Sequence, residues 1–282
     1  MEDQSTFSLR PLSPSLGAEV AGLDLASPLT EPDMAALKAA FAEHGVLFFR
    51  DQVLSPEQQI AFAESWGNVV INRFFTPVEG HPQVAEVRKE PDQTNNVGGG
   101  WHTDHSYDEE PALGSILYAR ELPENGGDTL FAGMSAAYDA LSPGLQETLR
   151  GLRALHSSRH VFGPGAGQPD DMTSRYGNAE LATQDSVHPV VITHPLSGRK
   201  SLYVNPGFTL RFDGWTHEES APLLDYLYDH ASQPEFVCRF QWKPGSLAFW
   251  DNRATWHYAL NDYPGQRRLM HRITLDGEAL SA

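Results

Sequence analysis

The chain has 282 residues, with 37 acidic against 20 basic side chains and a formal charge of −17. That balance repels nucleic acid and anionic membrane surfaces at long range, so neither is an expected partner. The one cysteine, Cys238, cannot close an internal disulfide, and the opening Met-Glu-Asp-Gln-Ser lacks the basic and apolar regions of a signal peptide, which makes the cytoplasm the expected compartment.

No Pro/Gly/Ser linker or charge block divides the sequence, so one domain over residues 1–282 is expected, with lid loops near 68–100 and 157–180. The expected assembly is a homo-oligomer, dimer or tetramer. Residues 7–26 read as brief strands and turns. Thr30 caps a helix whose apolar positions Met34, Leu37 and Phe41 recur at helical spacing, and His44-Gly45 stops it before the buried-strand run Val46–Phe49. Ser55, Pro56 and Gln58 open a second helix that carries Ile60, Phe62 and Trp66 and ends at Gly67. Residues 68–100 read as loop and strand, and the glycine-rich 95–100 stretch predicts a mobile loop.

Ser115–Tyr118 and Thr129–Phe131 read as two strands of a hairpin closed by the turn Asn125-Gly126-Gly127-Asp128. Residues 133–153 are helical in pattern, restarting at Ser142-Pro143, and 162–177 form a long irregular segment of the kind that serves as a lid. Strands follow at Val187–Thr193, Ser201–Asn205 and Phe236–Gln241, with a helix between the last two that is capped by Thr216 with Glu219 in the capping-box position. Ser246–Leu260 and Gln266–Leu275 end the series as a strand pair. Many strands with few helices and long connections predict a mainly β fold with flanking helices, a double-stranded β-helix or jelly roll.

His102 and Asp104, in Trp-His-Thr-Asp, lie two apart, where a strand aims both at one side. An imidazole and a carboxylate there make two thirds of the two-His-one-carboxylate face of a non-heme Fe(II) oxygenase. Among 12 histidines, roughly one His-x-Asp is expected by chance. The reading therefore depends on a distant partner. His217 opens a His-x-Glu at a helix start, where residues two apart do not share a face. His188 and His194 precede prolines and read as structural; His156, His160, His230 and His271 have no carboxylate at metal-site spacing. His257 stands out because the strand expected to pair with its own carries Arg268 and Arg272 on one face. Two like charges aimed inward call for anions, while surface ion pairs remain the alternative reading.

Trp-His-Thr-Asp at 101–104, Gly-Gly-Asp-Thr at 126–129, Trp-Asp-Asn-Arg at 250–253, His257 and Arg-Arg-Leu-Met-His-Arg at 267–272 together resemble the taurine dioxygenase/TfdA family of Fe(II)- and 2-oxoglutarate-dependent oxygenases. The early patterns at 17–25 and 44–50 fit as well, so the resemblance runs from about Leu12 to Gly277. It implies His102, Asp104 and His257 as iron ligands, with O2 as a further cosubstrate. It also implies that Arg268, 11 positions beyond His257, grips the far carboxylate of 2-oxoglutarate with help from Thr129. Arg272 then meets the acidic group of a small organic anion, and Trp101 and Trp250 lie beside the site. The carboxylate at Asp104 argues against halogenation, since halogenating relatives vacate that position.

The chain departs from the taurine pattern at Asn72, Phe75 and Gly98. A substrate with a larger apolar body than taurine is therefore expected, an alkyl sulfate, sulfonate or aryloxyalkanoate held by Arg272, Asn72, Phe75 and Phe208. Zinc hydrolysis by the same three ligands and a non-catalytic ligand-binding jelly roll are the rival readings. Neither explains Thr129, Arg268 and Arg272 together.

Overall fold

The computed structural model describes residues 6–166, 169 and 175–282. In chain order its strands are β1 (Ser8–Pro11), β2 (Ala18–Ala21), β3 (Val46–Phe49), β4 (Val69–Val70), β5 (Pro77–Val78), β6 (His81–Lys89), β7 (Gly114–Glu121), β8 (Thr129–Gly133) and β9 (Arg153–Ser157). They continue with β10 (Asp185–Pro189), β11 (Val191–Thr193), β12 (Lys200–Leu202), β13 (Thr209–Phe212), β14 (Val237–Phe240), β15 (Leu247–Asp251), β16 (Thr255–Ala259) and β17 (Arg268–Leu275). The larger sheet runs β1-β2-β3-β15-β7-β17-β6-β5, with β4 also pairing β17. Facing it is the smaller sheet β14-β8-β16. This is the jelly roll expected from the strand pattern.

Residue alternation explains the layering. Val46 and Phe48 of β3 join Leu117, Phe131, Phe240, Trp250 and Met270 in the apolar layer shared by the two sheets. Their neighbours Leu47 and Phe49 point the other way, into a second core with Leu37, Phe41 and Phe62 from helices α1 (Glu31–His44) and α2 (Pro56–Glu64). The start signals act as predicted: Thr30 accepts from the Asp33 amide, and Ser55 with Gln58 and Thr216 with Glu219 form capping boxes; Gly45 ends α1 at φ 67°, whereas α2 stops at Glu64, short of the expected Trp66 and Gly67.

Three expectations about pairing are corrected. β7 and β8 are not a hairpin: β7 pairs with β15 and β17 in the larger sheet, whereas β8 pairs with β14 and β16. Gly126 (φ 80°) and Gly127 (φ 70°) turn the chain there, and the Gly127 amide donates to Asp262 (2.7 Å), so the turn is fastened to another loop while the chain crosses between sheets. Ser246–Leu260 is two strands, not one, broken where the Asp251 carboxylate accepts from the Arg253 amide (2.9 Å). The β16 strand bearing His257 does not pair with β17, which lies between β6 and β7. Arg268, Met270 and Arg272 share the inward face of β17, which is why the arginines approach His257 across the interior and not along a ladder. Smaller differences are that residues 133–153 form two short helices, Met134–Asp139 and Pro143–Arg150, and that 187–193 breaks into β10 and β11.

Candidate active site

His102 is held against β16 by a β-bridge to His257, each amide donating to the other residue's carbonyl at 3.2 and 2.8 Å. The imidazole centroids stand 4.0 Å apart. Asp104 enters from the turn that follows: its Oδ1 is 3.8 Å from His102 Nε2 and its Oδ2 is 3.8 Å from His257 Nε2. One ligand atom from each of the three residues falls within 4.8 Å of the others, enough to surround a single cation. The spacing of His102 and Asp104 and the distant His257 do converge, though through a bridge and a turn and not along one regular strand.

The donors are electrostatically set for metal. Burial holds the His102 imidazole below its ordinary range against the pull of Asp104, and burial together with the neighbouring His102 does so more strongly at His257. Burial also works against ionisation of Asp104, but the Arg272 guanidinium beside it overcomes this and keeps the carboxylate well below its usual range. The result is two neutral nitrogens and one anionic oxygen. The His102 Nδ1 lies 2.8 Å from the Gly100 carbonyl, leaving Nε2 to point at the centre. Ser115 Oγ donates to Asp104 Oδ2 at 2.8 Å, fixing the carboxylate. Two glycines leave room for the ring: a Cβ at Gly207 would lie 2.7 Å from His102 Cβ, and one at Gly98 (φ +76°) 3.2 Å from His102 Cε1.

A cavity of about 550 Å³ opens over His102 and Asp104, walled by Phe75, Tyr107, Phe162, Tyr176 and Phe208 and floored by those two ligands and Arg272. Beside it is a cleft of about 40 Å³ bounded by Thr129, Trp250, His257 and Arg268; Val97, Gly98, His102 and Arg272 border both spaces. Arg268 is buried, and its Nε and one terminal nitrogen have no hydrogen-bond partner among the described residues. Thr129 Oγ1 accepts from Trp242 Nε1 (2.9 Å), which leaves its own hydrogen to donate. Arg272 places its guanidinium 4.5 Å from the centre of the Phe75 ring.

Asn72 is placed differently from Phe75 and Phe208. Its Oδ1 accepts from the Phe74 and Phe75 amides (2.9 and 3.1 Å), and it does not border the cavity. Of the two predicted lids, 95–100 borders the cavity, while 68–89 contributes β4, β5 and β6. The second holds Phe162 and Tyr176 against the cavity, and its residues 167–168 and 170–174 lie outside the described residues. Tyr107, Tyr176 and Trp242 carry no sequence signal at metal or anion spacing. Their role comes from tertiary packing alone. Trp101 also borders the cavity and Trp250 the cleft.

The family described as "Taurine catabolism dioxygenase TauD, TfdA family" matches residues 8–274. The chain belongs to this family. It is 36% identical over 276 residues to an alkylsulfatase of Acinetobacter baylyi, covering 96% of this chain and 86% of that protein. To an alpha-ketoglutarate-dependent sulfate ester dioxygenase of Pseudomonas putida it is 34% identical over 277 residues, 96% of this chain and 90% of that one. The solved structure of AAD-2 in complex with Mn(II) and N-oxalylglycine superposes with a TM-score of 0.81 at 32% identity, covering 98% of this chain and all of the other. As a member of the family, the chain is a non-heme dioxygenase dependent on Fe(II), 2-oxoglutarate and O2, and the family acts on small organic anions. The neutral, neutral, anionic donor set of His102, His257 and Asp104 fits Fe(II). Zinc hydrolysis and passive ligand binding are set aside. No helix among the described residues is long and apolar enough to cross a membrane.

Proposed function

We propose that the enzyme hydroxylates the sulfate-bearing carbon of an alkyl sulfate, and that the product collapses to an aldehyde and inorganic sulfate. The observation that carries this is Arg272, a buried guanidinium lying on the Phe75 ring at the floor of an aromatic cavity and bordering the cleft of Arg268 as well. Its Nε is buried without a hydrogen-bond partner among the described residues. A buried cation beside an apolar wall suits a molecule with an anionic head and an apolar body. The sulfate-ester activities in the names of two relatives support the same choice.

In this reading His102, Asp104 and His257 hold Fe(II), which with 2-oxoglutarate and O2 supplies oxidative decarboxylation to succinate and CO2 coupled to C–H hydroxylation. Arg268 and Thr129 grip the distal carboxylate of 2-oxoglutarate. Arg272 orients the sulfate, Phe75 and Phe208 cover the body and exclude water, and Asn72 holds the backbone that presents Phe75. Each buried methylene contributes about 0.8 kcal/mol, which separates longer alkyl sulfates from taurine.

The test is succinate formation over a panel of alkyl sulfates, alkanesulfonates, aryloxyalkanoates and neutral alcohols, with sulfate release read in parallel. Alkyl sulfates are expected to turn over best, releasing one sulfate per succinate. Taurine or a neutral alcohol as the best substrate rejects the reading.

A further inference from the structure

The cavity has two aromatic walls that come from different parts of the chain, and one ion pair joins them. Phe75 stands on one wall, and Phe74 backs the lining, stacked on Phe162 at 4.3 Å. Tyr107 stands on the other, edge-on to Phe208 (4.9 Å) and Phe162 (6.1 Å). Between them Arg73 directs one terminal nitrogen to both oxygens of Asp108, each at 2.6 Å. The same guanidinium is 5.7 Å from the centres of both the Phe74 and the Tyr107 rings, so it touches the lining and its backing as well as bridging the two walls.

Each end of the pair is anchored. Asp108 Oδ2 accepts from His105 Nδ1 (2.9 Å), the Asp108 amide donates to the His105 carbonyl (3.0 Å), and the Asp108 carbonyl meets His188 Nε2 (2.9 Å), which pins the 105–108 turn immediately after Asp104. On the other side the Arg73 carbonyl accepts from Asn178 Nδ2 (2.9 Å), the Phe74 carbonyl from the Gly177 amide (2.8 Å), and Phe75 bridges Tyr176. A half-buried ion pair adds little stability by itself, and an apolar pair of similar volume would do as well. Arg272 links the walls at the floor, lying on Phe75 and bonding Asp104, and Arg73–Asp108 adds a second fixed separation where the walls also meet through rings able to slide.

We propose that the Arg73–Asp108 ion pair sets the spacing of the aromatic walls and so determines how long an apolar body the cavity accepts. The pair acts through Phe75 and Tyr107 and positions them. The proposal rests on the alkyl-sulfate reading above, since it concerns the body attached to the anionic head that Arg272 holds.

The experiment is anaerobic calorimetry on enzyme loaded with Fe(II) and 2-oxoglutarate, titrated with hexyl sulfate and with ethyl sulfate, so that binding is read without turnover. A spacer between aromatic walls acts on the apolar body and not on the anionic head, so its removal falls mainly on the probe with the larger body. Arg73→Ala is therefore expected to weaken hexyl sulfate about tenfold and ethyl sulfate less than about threefold, an effect of roughly two methylenes of burial. Arg73→Lys, which keeps the charge, is expected to recover most of the difference. Asp108→Asn breaks the charge pairing while keeping the turn's backbone bonds, and it carries the same expectation should Arg73→Ala not fold. Parallel losses for both probes, or no loss for either, overturn the spacer role and leave the alkyl-sulfate reading standing. Wild-type protein that binds neither probe overturns both.

Discussion

Arg272 approaches Asp104 to 3.3 Å, Nη1 to Oδ1, in a buried pair, and the same guanidinium lies over Phe75. One cation thus touches a metal ligand and the wall of the substrate cavity. Asp104 is held on its other oxygen by Ser115, so the carboxylate keeps its orientation while Arg272 attends to what enters above it. An anion arriving at Arg272 shares a charge that also holds Asp104 ionised, which couples the substrate head to the metal ligand through a single side chain.

Replacing Arg272 by Ala is therefore expected to raise KM for the anionic substrate by at least about 30-fold, the effect of losing roughly 2 kcal/mol or more of charge-assisted binding. Arg272→Lys is expected to recover little, because a point charge on a flexible stem cannot lie flat on Phe75 and grip two oxygens together. Steady-state kinetics on the best alkyl sulfate decides it. A KM for Arg272→Ala within threefold of wild type takes the substrate head away from this residue.

Gly207 supplies a second test, aimed at the metal. Its missing side chain leaves the space in which the His102 Cβ sits, since an added Cβ would fall 2.7 Å away. Gly207→Ala is expected to displace His102 and weaken Mn(II) by tenfold or more, a loss of about 1.4 kcal/mol at a ring that must be held to a fraction of an ångström. With Mn(II) at 100 times the dissociation constant, wild-type protein gains about 2.7 kcal/mol from the ion. The thermal shift produced by Mn(II) should accordingly shrink in the variant, and an undiminished shift would show that His102 has room to spare.

Much of this site was legible in the sequence, and the illegible parts share one cause. His102 and Asp104 stood out by residue type and spacing and His257 by the arginines expected beside it, but spacing left surface ion pairs open, and only the resemblance of five motifs in order implied the full ligand set and the roles of Arg268 and Arg272. Thr30, Ser55 and Thr216 could be read as caps because a cap acts within four residues of itself. The pairing partners of β7, β8, β16 and β17 could not, since a strand's alternation says which face is buried and not which sheet it joins. His194 reads as structural from its Pro195 neighbour, and it does bond Asp251 (2.9 Å), but nothing local announces that Asp251 also chelates Arg253. Arg73, Tyr107 and Asp108 were equally silent. Each acquires its role from a partner at least 30 positions away or from a ring packed across the cavity.

His271 makes a prediction about pH. It lies next to Arg272 on β17 but faces the other side of the strand, where burial first and then Arg120 and His81 push its imidazole down to about 4. An unfolded histidine protonates near pH 6.5, so between about 6.5 and 4 the unfolded chain binds a proton that the folded one refuses, and stability falls as pH falls through that window. His271→Gln removes this contribution. Urea midpoints for the metal-free protein at pH 7.5 and 5 are expected to differ less in the variant than in wild type. An identical pH slope in both would mean that His271 titrates normally in the folded chain.

Arg268 and Thr129 provide the last test, because the two proposed contacts with the distal carboxylate of 2-oxoglutarate are unequal in kind. Arg268 is a buried charge with two nitrogens lacking hydrogen-bond partners among the described residues, and burial pulls its guanidinium below the ordinary range against Tyr263 and Asp128. Thr129 is neutral, accepts from Trp242, and has a single hydroxyl hydrogen left to donate. Arg268→Ala is therefore expected to weaken 2-oxoglutarate by about 2–5 kcal/mol, against about 0.5–1.5 for Thr129→Ala, in calorimetry with Mn(II) in place of iron. The stability effect should have the opposite sign. A buried cation without its anion costs the folded chain, so Arg268→Met, which keeps the volume and removes the charge, is expected to leave the metal-free protein as stable as wild type or up to about 4 kcal/mol more stable in urea. Loss of cosubstrate together with a gain in stability would mark Arg268 as a residue kept for binding. If the two alanine variants lose 2-oxoglutarate equally, or Arg268→Met unfolds the chain, the carboxylate clamp has been assigned to the wrong side chain.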